Sequence, residues 1–278
     1  MSESRRKTIG AISLALGLVA LIFILILTAV HAVGTDGALY YALQQRAWES
    51  YDIASPAGVS DVDLRDLDDR LAAYLAGDYD ALRADVETYG VYPVVETEVY
   101  GELQPAFNQK EMTHLTDCYN LFALLRKVRK RLIPWAVLLT VGGVYLLEYD
   151  RRRIRKIAWL SPLILLIPLG AFAVWAAVDF DGAFTFFHRL LFTNDLWLLD
   201  PATDLLIRIC PQSMFMAMGL RIALWGLAAL LSVPAMMTAL TFIMPKIDKD
   251  EDNQWNENRA TRRASAQRPK TFDFGERR

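Results

Sequence analysis

The sequence predicts an α-helical polytopic membrane protein with four transmembrane helices and an extracytoplasmic α+β region between helices 1 and 2. Two observations carry this prediction. The chain of 278 residues is 54% hydrophobic, which is above the usual apolar share of a soluble domain. Its charged residues are collected into blocks that alternate with long apolar runs, as expected for repeated membrane crossing. The net charge of -2 argues against a nucleic-acid-binding protein.

Four apolar runs define the predicted spans. They cover residues 9–33, 132–148, 157–178 and 222–244. The first run follows a basic cluster, as a secretory signal does, but it exceeds the ~7–15 apolar residues of a signal core, so it is predicted to be an uncleaved anchor. The second run is short for a span, and the last turn of the preceding helix is expected to lengthen it while basic side chains reach outward.

The basic clusters predict that both termini are cytoplasmic. The clusters at residues 5–7 and 151–156 favour this orientation, whereas the cluster at residues 126–131 opposes it and is interpreted as a collar that contacts lipid headgroups. Residues 1–8, the basic loop 149–156 and the tail 245–278, which is predicted to be disordered, are then cytoplasmic. Residues 34–131 form an extracytoplasmic region, and residues 179–221 form a second extracytoplasmic or interfacial segment.

Helix and turn signals divide the first extracytoplasmic region. Ser60 is the expected N-cap of an amphipathic helix that ends at Gly77. Alternating valine and tyrosine over residues 88–101 predict a short β-hairpin. Asn108 and Glu111 have the spacing of a capping box at the start of a helix that continues into the second span.

The second extracytoplasmic segment is too apolar for a free loop. Phenylalanine, leucine and tryptophan dominate residues 184–197, so this part is expected to lie in the membrane interface. Asp200 and Pro201 predict a helix start, with a cap followed by proline at the first helical position, and Pro211 is expected to end or restart that helix.

The histidines are the candidate catalytic residues. His114 and Asp117 are one helical turn apart, so the carboxylate is expected to fix the orientation of the imidazole, and His188 approaches from the second segment. The alternative is that both histidines pack at the interface and have no catalytic role. His31 is expected to be an interfacial anchor, and Arg221 either extends toward the interface or binds an oxyanion.

The two cysteines leave three roles open. Cys118 and Cys210 are both predicted on the outer side, where a disulfide between them is one possibility. Inert buried thiols are another. A nucleophilic Cys118, four residues after His114 on the same helix, is the third.

Two sequence blocks carry a family resemblance. EMTHLTD (residues 111–117) and FFHRLLFTNDLWLLDPATDLLIRICPQSMF (residues 186–215) resemble the signature blocks of the Lit family, the bacterial lipoprotein intramolecular transacylases. The likeness extends over about residues 8–245, because the span layout and the large first external region also fit. Leu115 and Cys118 depart from the methionine and valine of the family pattern, whereas His114 and Asp117 match it.

The resemblance implies an acyl transfer on the extracytoplasmic face of the bacterial cell membrane. The substrate would be a diacylglyceryl lipoprotein, whose sn-2 acyl chain moves to the α-amino group of its own N-terminal cysteine. Catalytic roles would fall to His114, His188 and Asp117. Phe187, Phe192, Trp197 and Arg221 would contact the substrate. The transfer from ester to amide runs downhill, so neither a cofactor nor a metal is expected, and membrane lipids are the only other implied partner.

Two other function classes remain open at this stage. His114, Asp117 and His188 have the composition of a two-histidine, one-carboxylate metal site, which predicts a metal-dependent membrane hydrolase. A non-catalytic membrane partner or scaffold would instead use its histidines only for packing.

Overall fold

A computed structural model describes residues 2–49, 58–83 and 95–244, together with residue 259. The described elements, in chain order, are α1 (Glu3–Val33), α2 (Gly37–Glu49), α3 (Asp61–Ala76), β1 (Glu96–Val99), β2 (Glu102–Pro105), α4 (Gln109–Leu146), α5 (Arg151–Leu160), α6 (Leu163–Val178), α7 (Phe180–Leu191), α8 (Leu205–Ile209) and α9 (Gln212–Ile243). The tail for which disorder is predicted lies outside the described residues apart from Arg259.

Three helical stretches are long and apolar enough to cross a membrane. They are Glu3–Val33, Arg151–Val178 and Gln212–Ile243, and they contain all or nearly all of the first, third and fourth predicted spans. In α6 the apolar side chains face away from the rest of the protein, because none of its residues is buried. Such a surface is stable only in an apolar solvent.

The second predicted span is the last part of α4, which is not among those three stretches. This part of α4 packs closely along α1. A Cβ atom added to Gly17 would lie 2.6 Å from the backbone nitrogen of Thr140, and one added to Gly143 would lie 2.5 Å from that of Leu14. Glycine at these two positions therefore lets the two helix backbones approach each other, as small residues do in membrane helix pairs.

Polar contacts join four helix ends at one end of the bundle. Arg6, near the start of α1, pairs with Glu148, just after α4. Arg151, the first residue of α5, donates to the backbone oxygen of Met244, just after α9. The start of α1, the end of α4, the start of α5 and the end of α9 therefore lie together, and the other ends of α1 and α4 point away from them.

The elements between α1 and α4, together with α8, form what we call the cap (residues 37–49, 58–83, 95–108 and 205–209). Its core buries Leu64, Leu67, Leu71 and Leu75 of α3 against apolar residues of the neighbouring elements. The predicted ends of α3 are confirmed. Ser60 accepts a hydrogen bond from the Asp63 backbone N–H at 3.2 Å, and Gly77 ends the helix with φ 125, a conformation that favours glycine.

The hairpin of the cap extends beyond the predicted range. Strands β1 and β2 pair antiparallel, with Glu96 opposite Pro105 and Val99 opposite Glu102. Tyr100 and Gly101 form the turn with φ 52 and φ 84, and positive φ at both central positions is the conformation of a type I′ hairpin turn. The predicted range 88–101 therefore includes β1 and the turn but not β2, and its residues 88–94 lie outside the described residues.

The predicted helix start at Asp200 and Pro201 is wrong. Asp200 accepts the Ala202 backbone N–H through its side chain at 2.9 Å and the Asp204 N–H through its backbone oxygen at 2.8 Å. These bonds close a turn, so Asp204 becomes the residue before α8. The predicted restart at Pro211 is confirmed, since α9 begins at the next residue.

Candidate active site

His114 lies in the second turn of α4, close to the end of the bundle that faces the cap. The start of α4 is fixed by the predicted capping box: Asn108 accepts the Glu111 N–H at 3.0 Å, and Glu111 accepts the Asn108 N–H at 2.7 Å. Because the helix begins at a defined residue, the direction of the His114 side chain is defined as well. The imidazole is 7% exposed.

His188 lies in the last turn of α7 and is surrounded by aromatic rings. The ring centroids lie 4.0 Å away for Phe184, 5.4 Å for Phe187, 5.6 Å for Phe192 and 4.8 Å for Trp197. These aromatic contacts leave the imidazole 8% exposed.

The structure brings the two histidines together from different segments of the chain. Their ring centroids are 6.1 Å apart, with the planes tilted by 35°. The Phe192 ring contacts both, at 5.2 Å from the His114 ring and 5.6 Å from the His188 ring. Phe192 therefore packs against both imidazoles.

Burial keeps both imidazoles neutral. It lowers the pKa of His114 to about 4, with a smaller contribution from His188, while Asp117 acts in the opposite direction. Burial also lowers the pKa of His188, although the hydrogen bond to Phe184 opposes this effect. A neutral imidazole has one nitrogen that donates and one that accepts a proton.

The hydrogen bonds of His188 identify its free nitrogen. His188 Nδ1 lies 2.8 Å from the Phe184 backbone oxygen. Because a carbonyl oxygen can only accept, Nδ1 carries the proton, and the lone pair of the neutral ring is on Nε2. His188 therefore has the tautomer of a general base with Nε2 as the accepting atom.

His114 has one weak partner and one unpartnered atom. Its Nε2 lies 3.7 Å from Cys118 Sγ. Its Nδ1 is buried and has no hydrogen-bond partner among the described residues. Leaving such an atom unpaired costs ~1–3 kcal/mol, which a bound substrate atom would recover.

Asp117 does not hydrogen-bond to His114, contrary to the orienting role expected from their spacing. Its carboxylate accepts instead from Asn194 Nδ2 at 2.9 Å, and Asn194 Oδ1 in turn accepts the Leu196 N–H at 3.1 Å. Asp117 therefore joins α4 to the loop between Phe192 and Trp197. Its influence on His114 is electrostatic.

A second polar network joins the residues that follow this loop to the start of α4. Glu111 accepts the Leu206 N–H at 2.6 Å, and Asn108 Nδ2 donates to Asp204 at 2.8 Å. Lys110 Nζ donates to the Leu198 backbone oxygen at 2.5 Å and lies 3.4 Å from the Asp204 carboxylate. Together with the bond between Asp117 and Asn194, these contacts attach residues 194–206 to the first turns of α4 beside the histidines.

The two cysteines are free, so the disulfide considered from the sequence is not formed. Burial raises the pKa of Cys118 to about 12 and raises the pKa of Cys210 as well. A nucleophilic cysteine requires a lowered thiol pKa. Both thiols are therefore inert, and the nucleophilic role for Cys118 is not supported.

The remaining residues singled out from the sequence differ in whether they contact the histidine pair. Phe187 contacts His188 and is 42% exposed. Arg221 lies exposed on α9, and within the described part of the chain no hydrogen bond or ion pair joins it to either histidine. His31 ends α1 and packs against Phe122 at 6.3 Å.

The metal-binding set considered from the sequence is not assembled. Among residues 2–49, 58–83, 95–244 and 259, no three histidine, cysteine or acidic side chains form a group that could hold a metal ion. The Asp117 carboxylate faces Asn194 instead of completing a site with the two histidines.

Comparison with known families identifies the chain. The family model described as lipoprotein intramolecular transacylase Lit matches residues 15–215. The chain belongs to the Lit family. It is therefore an acyltransferase, a lipoprotein intramolecular transacylase, and a bacterial membrane protein. No curated protein sequence matches the chain.

Solved structures of a Lit protein share the fold. The membrane integral lipoprotein intramolecular transacylase Lit from Bacillus cereus is 22% identical with a TM-score of 0.55, over 87% of this chain and 98% of that one. A variant of that protein in which a histidine is replaced by arginine is 23% identical with a TM-score of 0.56, over 86% of this chain and 91% of that one. The Lit fold thus extends beyond the residues that the family model matches.

Several residues of the site were not predicted from the sequence. Asn194, Asp204 and Lys110 have no distinguishing spacing, and Glu111 was predicted only as half of a capping box. Their roles depend on contacts between α4 and residues 194–206, which are more than 70 residues away along the chain. No periodic pattern encodes such contacts.

Proposed function

We propose that this chain moves the sn-2 acyl chain of a diacylglyceryl lipoprotein to the α-amino group of its N-terminal cysteine, with His188 as the acid–base group and His114 as a hydrogen-bond donor to the leaving oxygen. One observation carries the proposal. Two buried, neutral imidazoles from distant segments face each other at 6.1 Å in an aromatic site, in a chain of the transacylase family.

His188 is the general base. An α-amino group has a pKa of ~7.7–8.0, so part of it is neutral near pH 7 and attacks the ester carbonyl carbon. The new C–N bond leaves a proton on nitrogen, which His188 Nε2 accepts, since Nδ1 is bonded to Phe184. His188 then returns that proton to the glycerol oxygen as the C–O bond breaks, so no proton is gained or lost overall.

His114 binds the glycerol oxygen. Its pKa of about 4 means that it remains a neutral imidazole at physiological pH. With the protonated thiol of Cys118 donating to Nε2, the ring proton is on Nδ1, the atom that has no other partner among the described residues. A neutral imidazole N–H placed in this way stabilises a developing alkoxide.

The acyl chain binds along the exposed apolar face of α7. Phe187 is 42% exposed and Leu190 is 69% exposed, and Phe187 contacts the catalytic imidazole directly. Phe192 and Trp197 line the inner wall of the same site. The role of Arg221 as a substrate contact is retained as a prediction because its side chain is exposed.

Four membrane spans and an extracytoplasmic site belong to the same proposal. The last part of α4 packs along α1, which is itself a candidate span, and the basic residues at its middle then lie at the headgroups. The helix ends joined by Arg6 and Arg151 carry eight basic residues in two clusters at residues 5–7 and 151–156, which favours the cytoplasm for that end. The histidines lie at the opposite end.

Mass spectrometry of a lipoprotein N-terminus tests the proposed function. The host should make diacylglyceryl lipoproteins, lack N-acylation, and express the wild type, His188→Ala or His114→Ala. We expect an N-acyl, S-monoacylglyceryl species from the wild type only. Formation of that species at the wild-type level by His188→Ala would refute the acid–base role, and its absence with a stably inserted wild type would refute the function.

A further inference from the structure

The indole nitrogen of Trp197 is buried without a partner beside the catalytic histidine. Trp197 is 7% exposed, and its Nε1 has no hydrogen-bond partner among the described residues. The indole N–H can only donate. Burying it unpaired costs ~1–3 kcal/mol, and a hydrogen-bond acceptor of a bound substrate would recover that cost.

The position of the indole relates this donor to the reaction. Its ring lies 4.8 Å from the His188 ring, with the planes tilted by only 30°. The His114 ring, whose Nδ1 is also unpartnered among the described residues, lies 6.1 Å from the His188 ring. Two rings that neighbour the proposed proton-accepting imidazole thus each carry an unpartnered nitrogen.

The backbone around Trp197 is held in place before substrate binds. Asn194 anchors the loop to Asp117, Lys110 donates to the Leu198 backbone oxygen, and the Leu199 N–H donates to the Trp197 backbone oxygen at 3.0 Å. A donor that is already fixed needs no reorganisation when charge develops, which makes it effective in catalysis.

We propose that Trp197 Nε1–H donates a hydrogen bond to the acyl carbonyl oxygen of the substrate and stabilises the oxyanion of the tetrahedral intermediate. This inference rests on the proposed function. When the amine attacks, the carbonyl π electrons move onto that oxygen, and they return when the bond to glycerol oxygen breaks. His188 and His114 act on the nitrogen and the glycerol oxygen, so the carbonyl oxygen is the one reacting atom that they leave unbound.

A second buried indole provides the matched control. Trp48 of α2 is 5% exposed, and its Nε1 is also unpartnered among the described residues. It belongs to the apolar core of the cap, and no ring contact joins it to either histidine within the described part of the chain. An unpartnered indole N–H at Trp48 therefore has no reacting atom beside it.

The test replaces the indole N–H by sulfur without changing the ring shape. Trp197 and, separately, Trp48 are exchanged for 3-benzothienylalanine in the full chain, and each purified protein is assayed with a diacylglyceryl lipopeptide. For Trp197 we expect kcat to fall ~100-fold, the usual effect of removing one oxyanion donor, with KM changed by less than ~3-fold. The exchange at Trp48 should leave both constants at the wild-type values.

A substrate with a thionoester at sn-2 gives a second readout. Sulfur is a weak hydrogen-bond acceptor, so the rate penalty for this substrate should be large in the wild type and much smaller in the Trp197 variant. Equal penalties in both proteins, or a wild-type kcat for the benzothienyl variant at Trp197, would overturn the inference. His188→Ala, which keeps the Trp197 indole, is assayed in parallel. Its activity tests the proposed function separately from the role of the indole.

Discussion

The carboxylate of Glu111 is predicted to be the main attachment of the second segment to α4. Its side chain is 1% exposed and accepts two backbone N–H groups, from Asn108 at 2.7 Å and from Leu206 at 2.6 Å. Burial raises its pKa, while these two donors act in the opposite direction. One side chain thus joins the start of α4 to the start of α8.

Replacing Glu111 by alanine leaves both N–H groups without this acceptor. At ~1–3 kcal/mol for each unpaired buried donor, the loss is ~2–6 kcal/mol, a large part of the ~5–15 kcal/mol that stabilises a typical protein. Glu111→Gln keeps one accepting oxygen and turns an NH2 group toward the other donor, so its loss should be about half as large.

Thermal unfolding of the purified protein in one detergent measures this effect. Thr113→Ala is the matched control because its hydroxyl is exposed and bonds only to the backbone of its own helix, at 2.7 Å from the Gln109 oxygen. We expect the melting temperatures to fall in the order Thr113→Ala, Glu111→Gln, Glu111→Ala, with the control close to the wild type. A melting temperature of Glu111→Ala equal to that of Thr113→Ala would refute the reasoning.

Three further predictions concern single side chains. Asn194→Asp places a second carboxylate 2.9 Å from Asp117, so transacylation should fall at least ~10-fold relative to the wild type at pH 7. The ratio of variant to wild-type rate, measured at the same pH, should recover partly at pH 5, and a ratio that does not change with pH would contradict this. Cys118→Ser should keep turnover within ~10-fold of the wild type because a thiol with a pKa of about 12 is not a nucleophile; complete loss in a folded variant would show otherwise. Burial raises the pKa of Asp68 to about 7, although Gln44 opposes this through a hydrogen bond. Because the folded state favours the protonated form, the free energy of unfolding should be highest below pH 4 and fall by ~4 kcal/mol as the pH rises to 7. Asp68→Asn should remove that slope in thermal unfolding from pH 4 to 8, and a slope equal to that of the wild type would assign it to other groups.

The sequence predicts the elements of this protein better than their contacts. The caps of α3 and α4 and the restart of the chain at Pro211 follow from local chemistry that involves neighbouring residues only. The turn at Asp200 shows the limit of that approach. A cap residue followed by proline favours a helix start, but here Asp204 is held by Asn108 of α4 at 2.8 Å, a contact that lies outside any local window.

In the candidate site, too, the individual residues are predicted better than the contacts between them. His114 and His188 are named by their apolar surroundings and by the family resemblance, and the structure places their rings in one site. Asp117 was predicted from helical spacing to orient His114, yet its carboxylate faces Asn194. Spacing indicates which side chains share a helix face. It does not indicate which side chain from another segment of the chain hydrogen-bonds to them.

The neutral state of the two imidazoles has a consequence for the pH dependence of the reaction. His188 has a pKa below its usual value, so it remains an unprotonated base throughout the physiological range. The substrate amine, with a pKa of ~7.7–8.0, is then the group whose ionisation limits the rate. The rate should rise with pH up to about 8 and level off above it.

Tracing a labelled acyl chain in a purified system tests the central claim most directly. The full-length protein is reconstituted with a synthetic diacylglyceryl lipopeptide that carries an isotopic label only in its sn-2 acyl chain, and the products are resolved by tandem mass spectrometry. The account predicts that the label appears on the α-nitrogen of the same peptide, that none is released as fatty acid, and that His188→Ala abolishes the transfer. Label recovered as free fatty acid would show a hydrolase, and transfer at the wild-type rate by His188→Ala would show that the histidine pair does not carry the reaction.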